Sequence, residues 1–418
     1  MTTKWILKKK YILGQLDRYK ARLVIKGFTQ VKDVDYFETY SPVASAVTTR
    51  IFLTLTAYYD LELSKLDVKN AFIQADIDTE LYVWPPEGYG LEQPTDGRTA
   101  ILYKIKKSWY GAKQAPYLWH QKLSQWLLKV GFKHGSADHC LWKYKLQIAN
   151  GEVTALMLCT VVDDILVAYH HSFTNTYQNF LAAFKEFTEV KLEDPNQFCG
   201  LQIVRYRSHR KIILRQTHAI KAFLKEHRFD KCKAENLPAP AGQILSVLDC
   251  PDDGSSEQEQ MKSFTYRSVV GVCLFISVMT RFDITFAVNS LARFGHNPGL
   301  KHLNAAKHLC RYLNSTVERG LILGNNTDQV GASSTKPSGL EVFCDASWAS
   351  NVDDRHSTSG YGYTFQGSLI AWWCKHQFIL AKSSFESELI ALYGAVTELT
   401  WIRSLFKDFE IDISLPRN

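Results

Sequence analysis

One apolar stretch with two adjacent carboxylates at its centre places the strongest constraint on the fold of this chain. Residues 155–168 read ALMLCTVVDDILVA, in which Asp163 and Asp164 are the only charged side chains. Two carboxylates 4 Å apart repel by about 4 kcal/mol at an effective dielectric of 20, and burial adds to that cost. The β-branched residues on both sides favour two buried strands joined by a hairpin turn at the aspartates. A bound metal ion would offset the repulsion, although a polar turn without a ligand explains the same pattern.

Composition indicates a globular chain of two or three domains. It has 418 residues, of which 46% are hydrophobic and 22% charged. The longest apolar stretch, residues 269–279, is too short to span a membrane, and the N-terminus lacks the apolar core of a signal peptide. Nine cysteines without a Cys-x-x-Cys pair favour reduced thiols. We therefore expect a soluble intracellular protein with no membrane partner.

Positive charge is concentrated near the N-terminus. The net charge is +7, and residues 1–26 contain eight lysines and arginines against one acid. A second basic segment, residues 103–120, alternates cations with aromatic side chains. Cations interleaved with stacking surfaces suit a nucleic acid or a nucleotide, whereas a solvated basic face is the commoner explanation of any single cluster.

The order of elements places a third acid where it could join the aspartate pair. Basic and apolar residues alternate over 18–30, which predicts a strand. Helical patterns cover 48–59, 117–130 and 175–187, and a strand from residue 61 ends near Asp67. Asp67 has a catalytic role only if the fold brings it to Asp163 and Asp164. A helix cap is the simpler alternative.

Five segments in order resemble the reverse transcriptase of copia-type LTR retrotransposons. They are KARLVIKGFTQ (20–30), YFETYSPV (36–43), LDVKNAF (66–72), KSWYGAKQAP (107–116) and VVDD (161–164). The resemblance implies an α+β polymerase right hand, with fingers and palm over 1–205 built on an antiparallel sheet. It also implies that Asp67, Asp163 and Asp164 hold two Mg²⁺ ions, with Mn²⁺ as an alternative.

The same resemblance implies a nucleotide-binding set. Lys20 and Arg22 match the motif that grips the incoming triphosphate. Phe72 matches the position whose bulk excludes a ribose 2′-OH, and Tyr110 and Gly111 match the lining of the nucleotide and template pocket.

Residues 206–323 resemble the thumb-like or connecting helical region of these proteins. A linker is expected at about 237–260, followed by three helices within 264–313, the last with Lys307 and Arg311 as a basic stripe. Three positions depart from the family pattern. Val161 replaces a tyrosine, Trp109 a leucine and Phe282 a proline.

Residues 340–418 resemble the start of an RNase H-like α/β domain, after a loop at 324–339. Three strands and a helix are expected, with Asp345 and Glu388 as the first two metal ligands and Glu388 on the packing face. No later segment matches the remaining acids. Asp408, Glu410 and Asp412 are candidates by type only. We therefore expect a C-terminally truncated domain with no RNase H activity and an exposed sheet edge.

The resemblance implies an RNA-directed DNA polymerase that extends a DNA or RNA primer on an RNA template with dNTPs. The alternative is an inactive retroelement relic that only binds nucleic acid; a convergent phosphotransferase or nuclease would not explain the five ordered segments. No protease or integrase motif is present, so the other Pol domains, including those for DNA integration, would be partners in an intact element. Expected locations are the cytoplasm, in a virus-like particle, or the nucleus. The oligomeric state is left open.

Overall fold

The computed structural model describes residues 1–12, 15–88, 102–149, 152–324 and 339–411. Its mixture of helices and mostly antiparallel sheets confirms the α+β class.

The basic N-terminus forms a long antiparallel hairpin. Its strands are β1 (Thr3–Ile12) and β2 (Gln15–Ile25), and a 3₁₀ turn, Gly27–Thr29, follows. The strand predicted over 18–30 is therefore confirmed as far as Ile25. A small sheet of β4 (Tyr82–Val83) and β5 (Tyr103–Lys104) shares a minor core with the end of β2, formed by Ile25, Leu81, Val83 and Ile105.

A six-stranded antiparallel sheet forms the centre of the first half of the chain. In spatial order it runs β10, β3, β9, β8, β7, β6. The strands are β3 (Glu62–Val68), β6 (Lys133–His134), β7 (Leu141–Ala149), β8 (Glu152–Val161), β9 (Asp164–Tyr169) and β10 (Val190–Glu193). The predicted hairpin is confirmed, since β8 pairs with β9 and Val161 lies opposite Asp164.

Helices cover both faces of this sheet, which explains why its central strands are apolar without interruption. The helices are α1 (Ala46–Tyr58), α2 (Ala71–Gln74), α3 (Ala115–Lys129) and α4 (Thr174–Phe187). Leu158 and Val167 pack towards α3 and α4, whereas their neighbours Cys159 and Leu166 belong to the core around α1. Successive residues of each strand thus enter different cores.

A second antiparallel sheet joins the first half of the chain to a helical unit. Its strands are β11 (Gln197–Phe198), β12 (Leu201–Tyr206), β13 (Lys211–Arg215) and β14 (Leu321–Gly324), in that order. Strand β12 crosses the predicted boundary at residue 205, and β14 returns the chain to the same sheet after the helices. The domain boundaries stay predictions.

The helical unit contains the three helices expected between residues 264 and 313. Its elements are α5 (Thr217–Glu226), α6 (Ser256–Lys262), α7 (Tyr266–Met279), α8 (Thr285–Ala292) and α9 (Leu300–Ser315). They enclose a core of their own around Ile276, Val288 and Leu309. The expected basic stripe of α9 makes contacts within the chain, because Arg311 lies 3.7 Å from Glu235 and the Lys307 ammonium lies over the Phe264 ring.

The predicted linker is irregular up to a 3₁₀ turn at Val247–Asp249 and ends within α6. Most of the loop expected at 324–339 and the candidate acid Asp412 lie outside the described residues.

The C-terminal part forms the expected three-stranded meander and helix. Its elements are β15 (Glu341–Ser347), β16 (Thr358–Phe365), β17 (Ser368–His376) and α10 (Ser384–Asp408). The Ser383 hydroxyl caps α10 by accepting a bond from the Glu386 amide. Strand β15 is at the edge of its sheet in the part of the chain that the structure describes, and most of its residues are exposed.

The expected facing of α10 is wrong for Glu388 and Leu392, which are exposed. Ala391, expected on the same packing side, is buried together with Ser387 and Ala395. Apolar periodicity alone could not identify the buried side, because Leu389, Leu392 and Val396 are also apolar and yet exposed.

By length and composition α10 could cross a membrane, and the bent pair α6 and α7 would be a second candidate if counted as one span. Helices in protein cores pass the same test, and α10 packs against β15 and β16. The absence of a membrane partner stays a prediction.

Candidate active site

The turn between β8 and β9 presents the two adjacent aspartates. Val162 adopts a left-handed backbone with φ of 56°, which is strained for a β-branched residue. Two bonds hold this turn: the Trp119 indole N–H donates to the Val162 carbonyl at 2.7 Å, and the Val68 amide donates to the Asp163 carbonyl at 2.9 Å. The central sheet and α3 therefore impose the conformation that the sequence would not adopt alone.

Asp67 meets the aspartate pair because β3 lies beside β9. Asp67 is directly opposite Asp164 in the ladder, and Asp67 and Asp163 both line a cavity of about 560 Å³. Burial raises the pKa of Asp67, and the negative charges of Glu193, Asp164 and Asp163 raise that pKa further. The site thus concentrates negative charge in partial burial, a condition that favours a bound cation.

The pKa of Asp163 is raised by burial and by the charge of Asp164, while Arg22 and Lys20 act in the opposite direction. The cations of the N-terminal hairpin are therefore close enough to influence this carboxylate. The predicted triphosphate-binding residues and the predicted metal ligand border one cavity.

Asp164 has a different surrounding from its neighbour. Its carboxylate pairs with the Lys65 ammonium at 3.1 Å, and Lys65 also pairs with Glu193 at 3.2 Å. Burial alone lowers the pKa of Lys65, but its bonds to Asp164 and Glu193 outweigh burial and leave that pKa above its ordinary value. Asp164 is absent from the cavity lining.

The donor set suits Mg²⁺, which prefers carboxylate oxygens and usually takes only one or two protein carboxylates. Asp67 and Asp163 supply such a pair at the cavity. Across the described ranges, no group of three acidic, imidazole or thiol side chains is arranged to hold one ion. Asp164 does not form such a group with Asp67 and Asp163, because its carboxylate is directed to Lys65.

The cavity is also lined by basic side chains. They are the two predicted cations and three residues that sequence reasoning missed: Arg18, Lys69 and Lys191. Glu193 was also missed. On β10, the charged residues Lys191 and Glu193 alternate with apolar residues, a strand pattern that is visible in the sequence. The sequence of so short a strand does not indicate which other strand it pairs with.

Tyr110 and Gly111 join the N-terminal hairpin to the cavity. The Ile25 amide donates to the Tyr110 carbonyl at 2.8 Å, and the Arg22 guanidinium lies 5.1 Å from the Tyr110 ring centroid. Gly111 has φ of 93°, and a Cβ there would lie 2.1 Å from the Ile25 carbonyl oxygen. Only glycine permits this approach.

Phe72 lies behind the cavity wall. Its ring centroid is 4.8 Å from that of Tyr110, and it packs between two cores without lining the cavity. Trp109, the residue that departs from the family pattern, lines the cavity and donates its indole N–H to the Leu23 carbonyl at 2.9 Å.

Asp345 and Glu388 lie on elements that pack together, β15 and α10, and both are exposed. Within the described part of the chain, neither belongs to a group of three potential metal ligands. Asp408 has a structural partner, because its carboxylate accepts bonds from the Ser136 hydroxyl at 2.9 Å and the Ala137 amide at 2.7 Å. Glu410 pairs with Lys143.

Residues 1–241 match a family model described as reverse transcriptase (RNA-dependent DNA polymerase). The chain belongs to the reverse transcriptase family. The match includes every residue of the cavity described above.

Relatives of this reverse transcriptase-family chain extend the similarity to nearly its whole length. It is 34% identical over 97% of its length to the Retrovirus-related Pol polyprotein from transposon TNT 1-94 of Nicotiana tabacum, and 32% identical over 99% to that from transposon RE1 of Arabidopsis thaliana. It is 24% identical over 93% of its length to the Transposon Ty1-ER2 Gag-Pol polyprotein of Saccharomyces cerevisiae. The resemblance to copia-type Pol proteins is confirmed.

The chain spans only 29%, 26% and 21% of the length of these three relatives, respectively.

Proposed function

We propose that this chain is an RNA-directed DNA polymerase of a copia-type retrotransposon. The observation that carries the proposal is the meeting of Asp67 and Asp163 with Lys20 and Arg22 at one cavity. Carboxylates and cations that line one cavity suit a metal-bound nucleoside triphosphate. In this proposal the six-stranded sheet is the palm, the β1–β2 hairpin belongs to the fingers and the helical unit is the thumb.

Asp67 and Asp163 would hold the Mg²⁺ ions, with Asp164 beside them. Bound there, the ions would lower the pKa of the primer 3′-OH and stabilise the departing pyrophosphate during in-line displacement. Lys20 and Arg22 would hold the triphosphate oxygens through charge-assisted hydrogen bonds. Tyr110 would contact the nucleotide sugar. Phe72, which packs against the Tyr110 ring, would help to exclude a ribose 2′-OH by holding that ring in position.

The partners in this proposal are an RNA template, a DNA or RNA primer and dNTPs, with the remaining Pol domains in an intact element. The proposal is confined to polymerase chemistry and does not extend to RNase H activity.

Primer extension on an RNA template tests the proposal. The wild-type chain, with Mg²⁺ and labelled dNTPs, is expected to synthesise DNA, and Asp163→Asn is expected to lose about a thousandfold in rate because a cavity carboxylate is removed. Asp253→Asn, at an exposed loop of the linker, is the matched control and should match the wild type.

Absence of synthesis by the wild-type chain, together with salt-sensitive binding of primer-template, would overturn the polymerase proposal and support the inactive relic. Equal rates for the wild type and Asp163→Asn would place the chemistry elsewhere.

A further inference from the structure

Five charged side chains share one face of three adjacent strands at the candidate active site. In the ladder, Asp67 lies opposite Asp164 on one side and opposite Lys191 on the other, while Lys65 lies opposite Glu193. Directly paired residues and residues two positions apart point to the same face of a sheet. The register therefore joins Lys65 and Glu193 to the acids of the family motif.

Lys65 is held at the centre of this face. Its side chain is only 10% exposed, and its ammonium contacts Asp164 at 3.1 Å and Glu193 at 3.2 Å. A buried ammonium requires such pairing, because desolvation without it costs several kcal/mol. Each partner carboxylate is in turn fixed by the shared cation.

This arrangement separates the acids into two sets. Asp67, Asp163 and Glu193 line the cavity, whereas Asp164 is directed to Lys65 and does not. Glu193 belongs to both sets, since it borders the cavity and accepts from Lys65 and Lys191.

We propose that Lys65 is a positioning residue of the catalytic cluster, an internal cation that fixes Asp164 and Glu193 and limits how strongly the cluster attracts divalent metal. The inference rests on the proposed polymerase function and deepens it. Without Lys65, Asp164 would lose its cation partner and could turn towards the cavity, which Asp67, Asp163 and Glu193 already line.

Metal binding without turnover tests this role. Mn²⁺ binding to the chain alone, with no nucleotide or nucleic acid, is measured by electron paramagnetic resonance. Lys65→Met is expected to bind Mn²⁺ about fivefold more tightly or better, because a positive charge beside the carboxylates is removed. Lys65→Arg, which keeps the cation, should stay within about twofold of the wild type.

Lys262→Met is the matched control, because it removes an exposed lysine that pairs with Glu259 far from the cavity. It should leave Mn²⁺ affinity unchanged. Unchanged or weaker Mn²⁺ binding by a folded Lys65→Met chain would overturn the proposal.

Glu193→Gln provides a second test if Lys65→Met does not fold. It removes a cavity carboxylate and leaves Lys65 paired with Asp164 alone, so Mn²⁺ binding should weaken by about threefold or more. An unchanged affinity would show that Lys65 and Glu193 form only a structural ion pair and would overturn the proposal.

Steady-state kinetics adds a readout that simple loss of fold would not produce. Lys65→Met should lower kcat about tenfold while the KM for primer-template stays unchanged, and Lys65→Arg should restore kcat. If the wild type has no polymerase activity, the proposed function fails on that result. The Mn²⁺ shifts then still decide whether Lys65 controls the carboxylate cluster.

Discussion

Gly27 and Gly111 are the residues at which the basic hairpin meets the loop before α3. A Cβ on Gly27 would lie 2.0 Å from the Gly111 carbonyl oxygen, and one on Gly111 would lie 2.1 Å from that of Ile25. Backbone contacts backbone here, so no side-chain rotation could relieve a clash. This junction places Arg22 over Tyr110 at the cavity.

Gly111→Ala should therefore lower the free energy of unfolding by about 3 kcal/mol, from a backbone clash added to an unfavourable positive φ. Urea denaturation measures the change. Gly200→Ala separates the two causes, because Gly200 has φ of 80° but a Cβ added there would meet nothing within 4 Å. Gly200→Ala should therefore lower the free energy of unfolding by only about 1 kcal/mol. Equal losses for both variants would contradict the role of the close approach.

At the scale of elements, the β8–β9 hairpin depends on α3. The strained Val162 turn is secured by the Trp119 indole, which is almost fully buried beneath it. The position of Asp163 at the cavity thus depends on a contact between residues that are 43 positions apart in the sequence.

Trp119→Phe should remove that hydrogen bond, lower the free energy of unfolding by about 1–2 kcal/mol and reduce nucleotide transfer about tenfold by letting the turn relax. Trp126→Phe, on the same helix and packed against Phe187, is the control. It should reduce stability through lost packing and leave kcat unchanged. Equal loss of kcat in both variants would contradict a specific role for the turn contact.

At the scale of the whole molecule, Arg50 joins three parts of the fold. From α1 it donates Nη1 to the Ile370 carbonyl of β17 at 2.7 Å and Nη2 to the Val278 carbonyl at the end of α7, and it stacks on Trp372 at 3.9 Å. Burial lowers its pKa to about 9, so the guanidinium stays charged at neutral pH. The core around α1 continues into the C-terminal sheet.

Arg50→Met should leave these carbonyls without their donor and loosen the C-terminal sheet from the rest of the chain. We expect the free energy of unfolding to fall by about 2–4 kcal/mol and proteolytic cleavage within residues 339–383 to become faster. Arg281→Met is the control, since Arg281 is equally buried but bonds to Asp283 and Thr316 within the helical unit. If both variants give the same cleavage pattern, Arg50 does not couple these parts.

Local pattern was sufficient to predict most elements and the main acids of the candidate site. Alternation and β-branched runs predicted the hairpin at Asp163, and apolar periodicity predicted α1, α3, α4 and the three helices of the helical unit. The ordered motifs indicated the reverse transcriptase family, because spacing along the chain is itself a property of sequence.

Other features depended on which distant elements become neighbours. Lys65 and Glu193 are 128 residues apart and pair only because β10 joins the sheet beside β3. Glu388 could not be placed correctly because α10 has apolar residues on more than one side, and only its packing against the sheet decides which side is buried. The sequence by itself determined the local conformations and the family, through short-range sterics and hydrophobic pattern. Only the tertiary structure decided which charges face one another, because strand order and helix facing follow from packing between distant segments.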